Sequence, residues 1–257
     1  MGLIANKSRT TSMEGKVLIV PIVSTANVGQ LAVDLIIASL ALTRIAVLDP
    51  RFCIPVVGAR DDGQKGITTA LELYGHPDSN LVVIQQRSPV LKSLKEEFIQ
   101  ELLTFIKDEK FSSVLFLAGV DLSNRTDAQM MTPTYQLRPE KGPTLAGTPL
   151  QSLSSLPIPT YSSPVRQHLQ AEEENPSVPF IPGGGLTRRI LSSIPEGWPV
   201  PTACLLQFVL EGDNRADAGL LASVVTKVIG VDIKEWRQPF SWRAGLFGTP
   251  HDQTLYG

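Results

Sequence analysis

The run from Lys16 to Ile22 constrains this chain more than any other feature. Val17, Leu18, Ile19, Val20 and Ile22 follow one another with only Pro21 between them. A strand with one wet face alternates apolar and polar residues. A strand without that alternation is buried on both faces, as in a parallel sheet covered by helices. The next thirty residues fit such a sheet. Ser24 to Asn27 reads as a turn, with Ser24 or Asn27 available to cap a helix. From Val28 to Leu40, apolar residues at Val28, Leu31, Leu35 and Leu40 recur at helical spacing. Thr43 to Leu48 reads as the next strand, and Asp49 and Pro50 stop it. Strand, helix and strand with short links predict a right-handed βαβ unit.

The rest of the chain repeats these periods. Residues 67–74 and 80–87 read as a hairpin around the Gly75 to Ser79 turn. Leu91, Leu94, Phe98, Leu102 and Phe105 predict an amphipathic helix over 91–107. Residues 113–120 and 202–210 read as buried strands, with helices over 186–192 and 216–229. Between about 121 and 178 the chain is rich in Pro, Ser, Thr and Gln, carries the run Glu172 to Glu174 and shows no sustained period. That composition predicts an insertion, part of it a long surface loop. The expected fold is a single α/β domain over 1–257. Its sheet is mixed and largely parallel, it is flanked by helices, and 249–257 form a C-terminal tail.

Charge and cysteine usage narrow the function. A net charge of −2 offers no global field for nucleic acid or an anionic membrane. The two cysteines, Cys53 and Cys204, sit in apolar surroundings and imply no disulfide framework, which points to a reducing compartment. The first residues lack the basic head and apolar stretch of a signal peptide. The longest apolar stretch, Leu31 to Leu42, is broken by Asp34 and is too short to cross a bilayer. The expected location is cytoplasmic with nuclear access.

The residues able to carry chemistry are few. Gly183, Gly184 and Gly185 precede a helix bearing Arg188 and Arg189, an arrangement that can cradle phosphate at a helix start. The spacing is neither that of a P-loop nor that of a dinucleotide fold, and glycines serve a close helix–sheet turn equally well. Ser24, Thr25 and Asn27 lie at the carboxyl end of the first buried strand, where doubly wound folds bind ligands. Glu211 and Asp213 follow a later strand at the same end. These groups frame an enzyme alternative of nucleoside-phosphorylase or hydrolase type, but no histidine stands ready as its base. His76, His168 and His251 lack partners at metal-ligand spacing. No catalytic residue, metal or cofactor is expected. The last residues, Leu255, Tyr256 and Gly257, combine an aliphatic group, an aromatic hydroxyl and a carboxylate in one compact plug. The bland reading is a frayed terminus with a chance tyrosine, and three residues alone do not decide between the two.

Taken in order, several motifs are similar to those of the proteasome assembly chaperone family. They are Val20 to Ser24 followed by Asn27 to Ile37, Pro55 to Gly58, Gln85 to Ser88, Ile181 to Thr187, Phe208 to Asn214, Ser241 to Arg243 and Leu246 to Gly248. The resemblance spans nearly the whole chain except its first dozen residues and its Pro/Ser-rich middle. It implies a fold like that of nucleoside phosphorylases in outline, without their chemistry. It also implies pairing with a related partner, proteasome assembly chaperone 1, and binding of the heterodimer to the outer face of the ring of proteasome α subunits. Leu255, Tyr256 and Gly257 fit the family's tail, which enters pockets between α subunits. Asn27, Gln30, Asp34, Pro55 and Val57 are the expected partner-facing residues, and Gly183 to Gly185 a structural loop.

Overall fold

Strict alternation along the central strands assigns each core residue to one of two layers. The computed structural model describes residues 4–7, 12–62, 64–165 and 178–244. In chain order the elements are β1 (Ile4–Lys7), β2 (Val17–Pro21), α1 (Val28–Ser39), β3 (Thr43–Leu48), β4 (Gly58–Ala59), β5 (Ile67–Thr68) and β6 (Leu71–Gly75). They continue with β7 (Leu81–Gln86), α2 (Lys95–Asp108), β8 (Ser113–Asp121), β9 (Thr134–Leu137), α3 (Gly185–Ser192), β10 (Thr202–Val209) and α4 (Arg215–Ile229). Among the described residues, eight strands form one sheet in the order β1-β3-β6-β7-β2-β8-β10-β9, while β4 and β5 pair apart from it.

The mixed α/β sheet flanked by helices expected from the sequence is what the structure has. Strands β7, β2, β8 and β10 are parallel, and the strands outside them join antiparallel. Leu18, Val20, Val114, Phe116, Cys204 and Leu206 point to the layer covered by α2 and α3. Val17, Ile19, Leu115, Leu117, Ala203 and Leu205 point to the layer covered by α1 and α4. Each such residue sheds its apolar surface on folding, at about 25 cal/mol per Å². Amphipathic α2 buries Phe98, Ile99, Leu102, Leu103 and Ile106, and exposes Glu97 and Lys107.

Two expectations need correction. The β2–α1–β3 unit does not place its strands side by side, because the β6–β7 hairpin lies between them. Neither Ser24 nor Asn27 caps α1 with its side chain. The Ser24 hydroxyl is spent instead on the backbone of Ile22 and Gly119.

Residues 134–161, in the stretch that shows no period, pack against the body. They supply β9 and bury Tyr135, Leu137, Leu145, Leu150, Leu153 and Tyr161. The outer edge of β9 is covered in turn. Tyr161 N–H donates to Gln136 O, and Gln136 Nε2 donates to the carbonyls of Leu153 and Ile158.

Candidate functional site

Doubly wound folds keep their ligand crevice beyond the carboxyl ends of the parallel strands, where the winding changes direction. Here that place lies between β2 and β8, and the chain fills it with its own atoms. A Cβ on Gly119 would overlap the carbonyl oxygen of Thr25, and a Cβ on Gly183, whose φ is +75°, would overlap the Thr25 hydroxyl. The β2–α1 turn thus rests on bare backbone on two sides. Ala26 and Asn27 both take left-handed conformations, with φ of 58° and 50°, which costs free energy for residues with a side chain. Glu211 offsets that cost by accepting the Ala26 N–H at 2.8 Å. Gln30 helps as well. With its amide oriented to satisfy both ends, it accepts from Val23 N–H at 3.0 Å and donates to Asn27 O at 3.3 Å.

Ser24, Asp213, Arg188 and Arg189 also bond to the chain itself, whereas the buried Thr187 hydroxyl, just past the Gly183 loop, has no hydrogen-bond partner. Ser24 Oγ accepts from Gly119 N–H at 2.7 Å and donates to Ile22 O at 2.9 Å. Asp213 is exposed and pairs with Arg215, whose hydrogen bonds hold its carboxyl below the usual range. Arg188 turns to Val178 O and Arg189 to Glu96, so neither serves the Gly183 loop. His76 lies near Asp78 at the surface, and His168 and His251 lie outside the described residues. Among the described residues, no group of three or more His, Cys, Asp or Glu is placed to hold a metal.

The opposite situation holds beyond β3. Phe52 is buried edge-to-face on Phe98, and Cys53 bridges to Val90. Burial pushes the Cys53 thiol up to about 11. Ile54 N–H donates to Pro89 O at 3.0 Å, and Ser88 Oγ donates to Ile54 O at 2.6 Å. From this fixed root an arm projects. Every residue from Ile54 to Ala59 is exposed, Val57 by 70%, and Ile67 adds to the apolar surface across the β4–β5 pair. Single exposed apolar side chains are ordinary, and a run of them on an anchored loop is a surface that a partner could cover.

Beside the arm, a cleft of about 860 Å³ opens over β3 and β6. Its floor holds two ion pairs. Arg44 bonds Glu72, which also accepts from Tyr74 Oη at 2.8 Å. Arg87 bonds Asp34 at 3.1 Å, and Gln85 donates to the same carboxylate. Burial raises the Asp34 pKa, while the Arg87 guanidinium and the Gln85 amide pull it back. The cleft's outer wall is the C-terminal strap Arg237 to Phe240.

Known proteins share this architecture. The model of the PAC2 family matches residues 18–234. The chain belongs to the PAC2 family. It is 34% identical over 223 residues to Proteasome assembly chaperone 2 of Nematostella vectensis, covering 79% of this chain and 85% of that protein. Against Proteasome assembly chaperone 2 of Xenopus laevis it is 30% identical over 254 residues, covering 90% and 91%. Its fold is that of Pyrococcus furiosus PbaA, described as an archaeal homolog of proteasome-assembly chaperone. That match has a TM-score of 0.60 at 17% identity and covers 90% of this chain and 86% of that one.

Within this PAC2-family chain the expected residues separate into two groups. Asn27, Pro55 and Val57 are exposed, whereas Gln30 and Asp34 are buried and bond to groups of the same chain. Leu255, Tyr256 and Gly257 lie outside the described residues. The sequence reading missed the Arg44–Glu72–Tyr74 cluster and the exposed Met130 and Met131. Glu72 and Tyr74 carried a usable signal, since two polar groups at i and i+2 of a strand share one face.

Proposed function

We propose that this chain is a proteasome assembly chaperone that works through protein contacts. The observation that carries the reading is the alignment with relatives named Proteasome assembly chaperone 2 over most of both lengths. The geometry supports it in two ways. Ser24 and Glu211 at the sheet edge are spent on holding the chain's own backbone, and apolar groups are left outside on a braced arm.

In this reading the chain pairs with proteasome assembly chaperone 1 through the arm carrying Pro55 and Val57, with exposed Asn27 a further partner-facing residue. The heterodimer binds the outer face of the proteasome α-subunit ring, promotes ring formation and hinders off-pathway association. Residues 249–257 are the tail, with Leu255, Tyr256 and Gly257 entering a pocket between α subunits. A tethered plug gains a high effective concentration once the body docks, so a weak tail adds much avidity and stays reversible. Residues 121–178 are an insertion in one domain, and the chain works in cytoplasm and nucleus.

The test is co-purification. Tagged full-length chain with its native C-terminus is captured from extract of its own source and read by mass spectrometry. Recovery of a related chaperone subunit together with α subunits is expected. Recovery of neither overturns the reading. Deleting 255–257 is expected to weaken α-subunit capture while leaving the chaperone pair intact.

A further inference from the structure

The arm and the root of the C-terminal segment are tied together by side chains 180 residues apart. Asp61 lies in the arm between β4 and β5. Its Oδ1 accepts the Ser241 N–H at 2.9 Å, and its Oδ2 accepts the Ser241 hydroxyl at 3.0 Å. Ser241 belongs to the single turn Phe240–Ala244, so the Asp61 carboxylate holds the start of that turn. Ser39 secures the strap as well, its Oγ accepting the Arg237 N–H at 2.8 Å and donating to Arg237 O at 3.4 Å. Trp242 then buries itself in the α1–α4 layer. The strap is thus held to the rigid body at Ser39 and at Trp242, and to the arm at Asp61. The arm is where the apolar contact surface lies.

We propose that Asp61 is a positioning residue that couples partner docking on the arm to the setting of the strap that runs from Arg237 into the turn Phe240–Ala244. This rests on the reading that a partner chain docks on the arm. A partner that stills the arm then stills the strap. Linkage makes the effect mutual, so an ordered strap favours the docking-ready arm by the same factor.

Hydrogen exchange on the full chain tests both halves. In the isolated chain, Asp61→Ala is expected to speed exchange of the Ser241 amide by about tenfold or more, because a bond to a charged acceptor is lost. Asp61→Asn, which keeps an oxygen for the N–H and a donor for the hydroxyl, is expected to restore protection. On adding purified proteasome assembly chaperone 1, strap exchange is expected to slow in the wild-type and Asp61→Asn chains and to stay unchanged in Asp61→Ala. Equal exchange of the wild-type and Asp61→Ala chains in isolation overturns the clamp. Slowing by the partner to the same degree in Asp61→Ala overturns the coupling. A wild-type chain that binds no such partner refutes the docking reading and takes the coupling with it, while the isolated-chain comparison still decides the clamp.

Discussion

The crevice between β2 and β8 and the arm beyond β3 are built in opposite ways. In the crevice, backbone packs on backbone. Thr25 lies against Gly119 and Gly183, and the carboxylate of Glu211 takes the N–H of Ala26. In the arm, Ile54, Val56, Val57 and Ile67 remain in water, although their root is fixed by hydrogen bonds to Ser88 and Pro89. A ligand site needs unspent polar groups facing a vacancy, and a docking surface needs unspent apolar groups on a firm base. The first place lacks what the second has. The difference sets a braced apolar surface on the arm against a self-packed turn in the crevice.

Substitutions can break this contrast, and the largest effect is expected in the crevice. Gly119→Ala forces a methyl group onto the Thr25 carbonyl, where neither backbone can yield, and is expected to cost more than about 3 kcal/mol. Urea denaturation checks it, and a loss under about 1 kcal/mol would mean that the turn gives way easily. Asp34→Ala comes next. It leaves Arg87 without its counter-charge, and the expected loss is about 2–3 kcal/mol, reduced from the fully buried case because Arg87 retains some solvent. Glu211→Ala strips the left-handed Ala26 of its acceptor and is expected to cost about 1–2 kcal/mol by the same assay. Val57→Asp is expected to change stability by no more than about 0.5 kcal/mol. Its effect belongs to pairing, and a titration against proteasome assembly chaperone 1 should show weaker binding. Unchanged affinity would move the docking surface off the arm.

The fold was legible where burial imposes a period. β2, β8 and β10 are continuous apolar runs because both faces are covered, and α2 shows its stripe because one face is wet. β9 escaped because Thr134, Tyr135, Gln136 and Leu137 mix polar and apolar residues at a sheet edge. Leu145, Leu150, Leu153 and Tyr161 also reach the interior, but at irregular intervals among prolines and serines, so no window registers them. The crevice was half legible. The sequence places Ser24, Asn27, Glu211 and the Gly183 loop at one end of the sheet. It does not reveal that Ser24 and Glu211 are spent on holding the chain's own backbone, because the bonds from Gly119 to Ser24 and from Ala26 to Glu211 span 95 and 185 residues. The exposed arm was legible only as a run of Pro and Val. Nothing local distinguishes Val57, which faces water, from Val90, which is buried.

The covered rim of β9 bears on how such a chain can join others. An open strand edge invites another chain to extend the sheet, and that route leads as readily to aggregates as to partners. Here Gln136 and the segment through Tyr161 occupy the hydrogen-bonding groups that would template the addition. Recruitment on that flank must therefore proceed through side chains, which discriminate among partners, and not through main-chain pairing, which accepts almost any sequence. A capped rim is thus a safeguard against indiscriminate polymerisation.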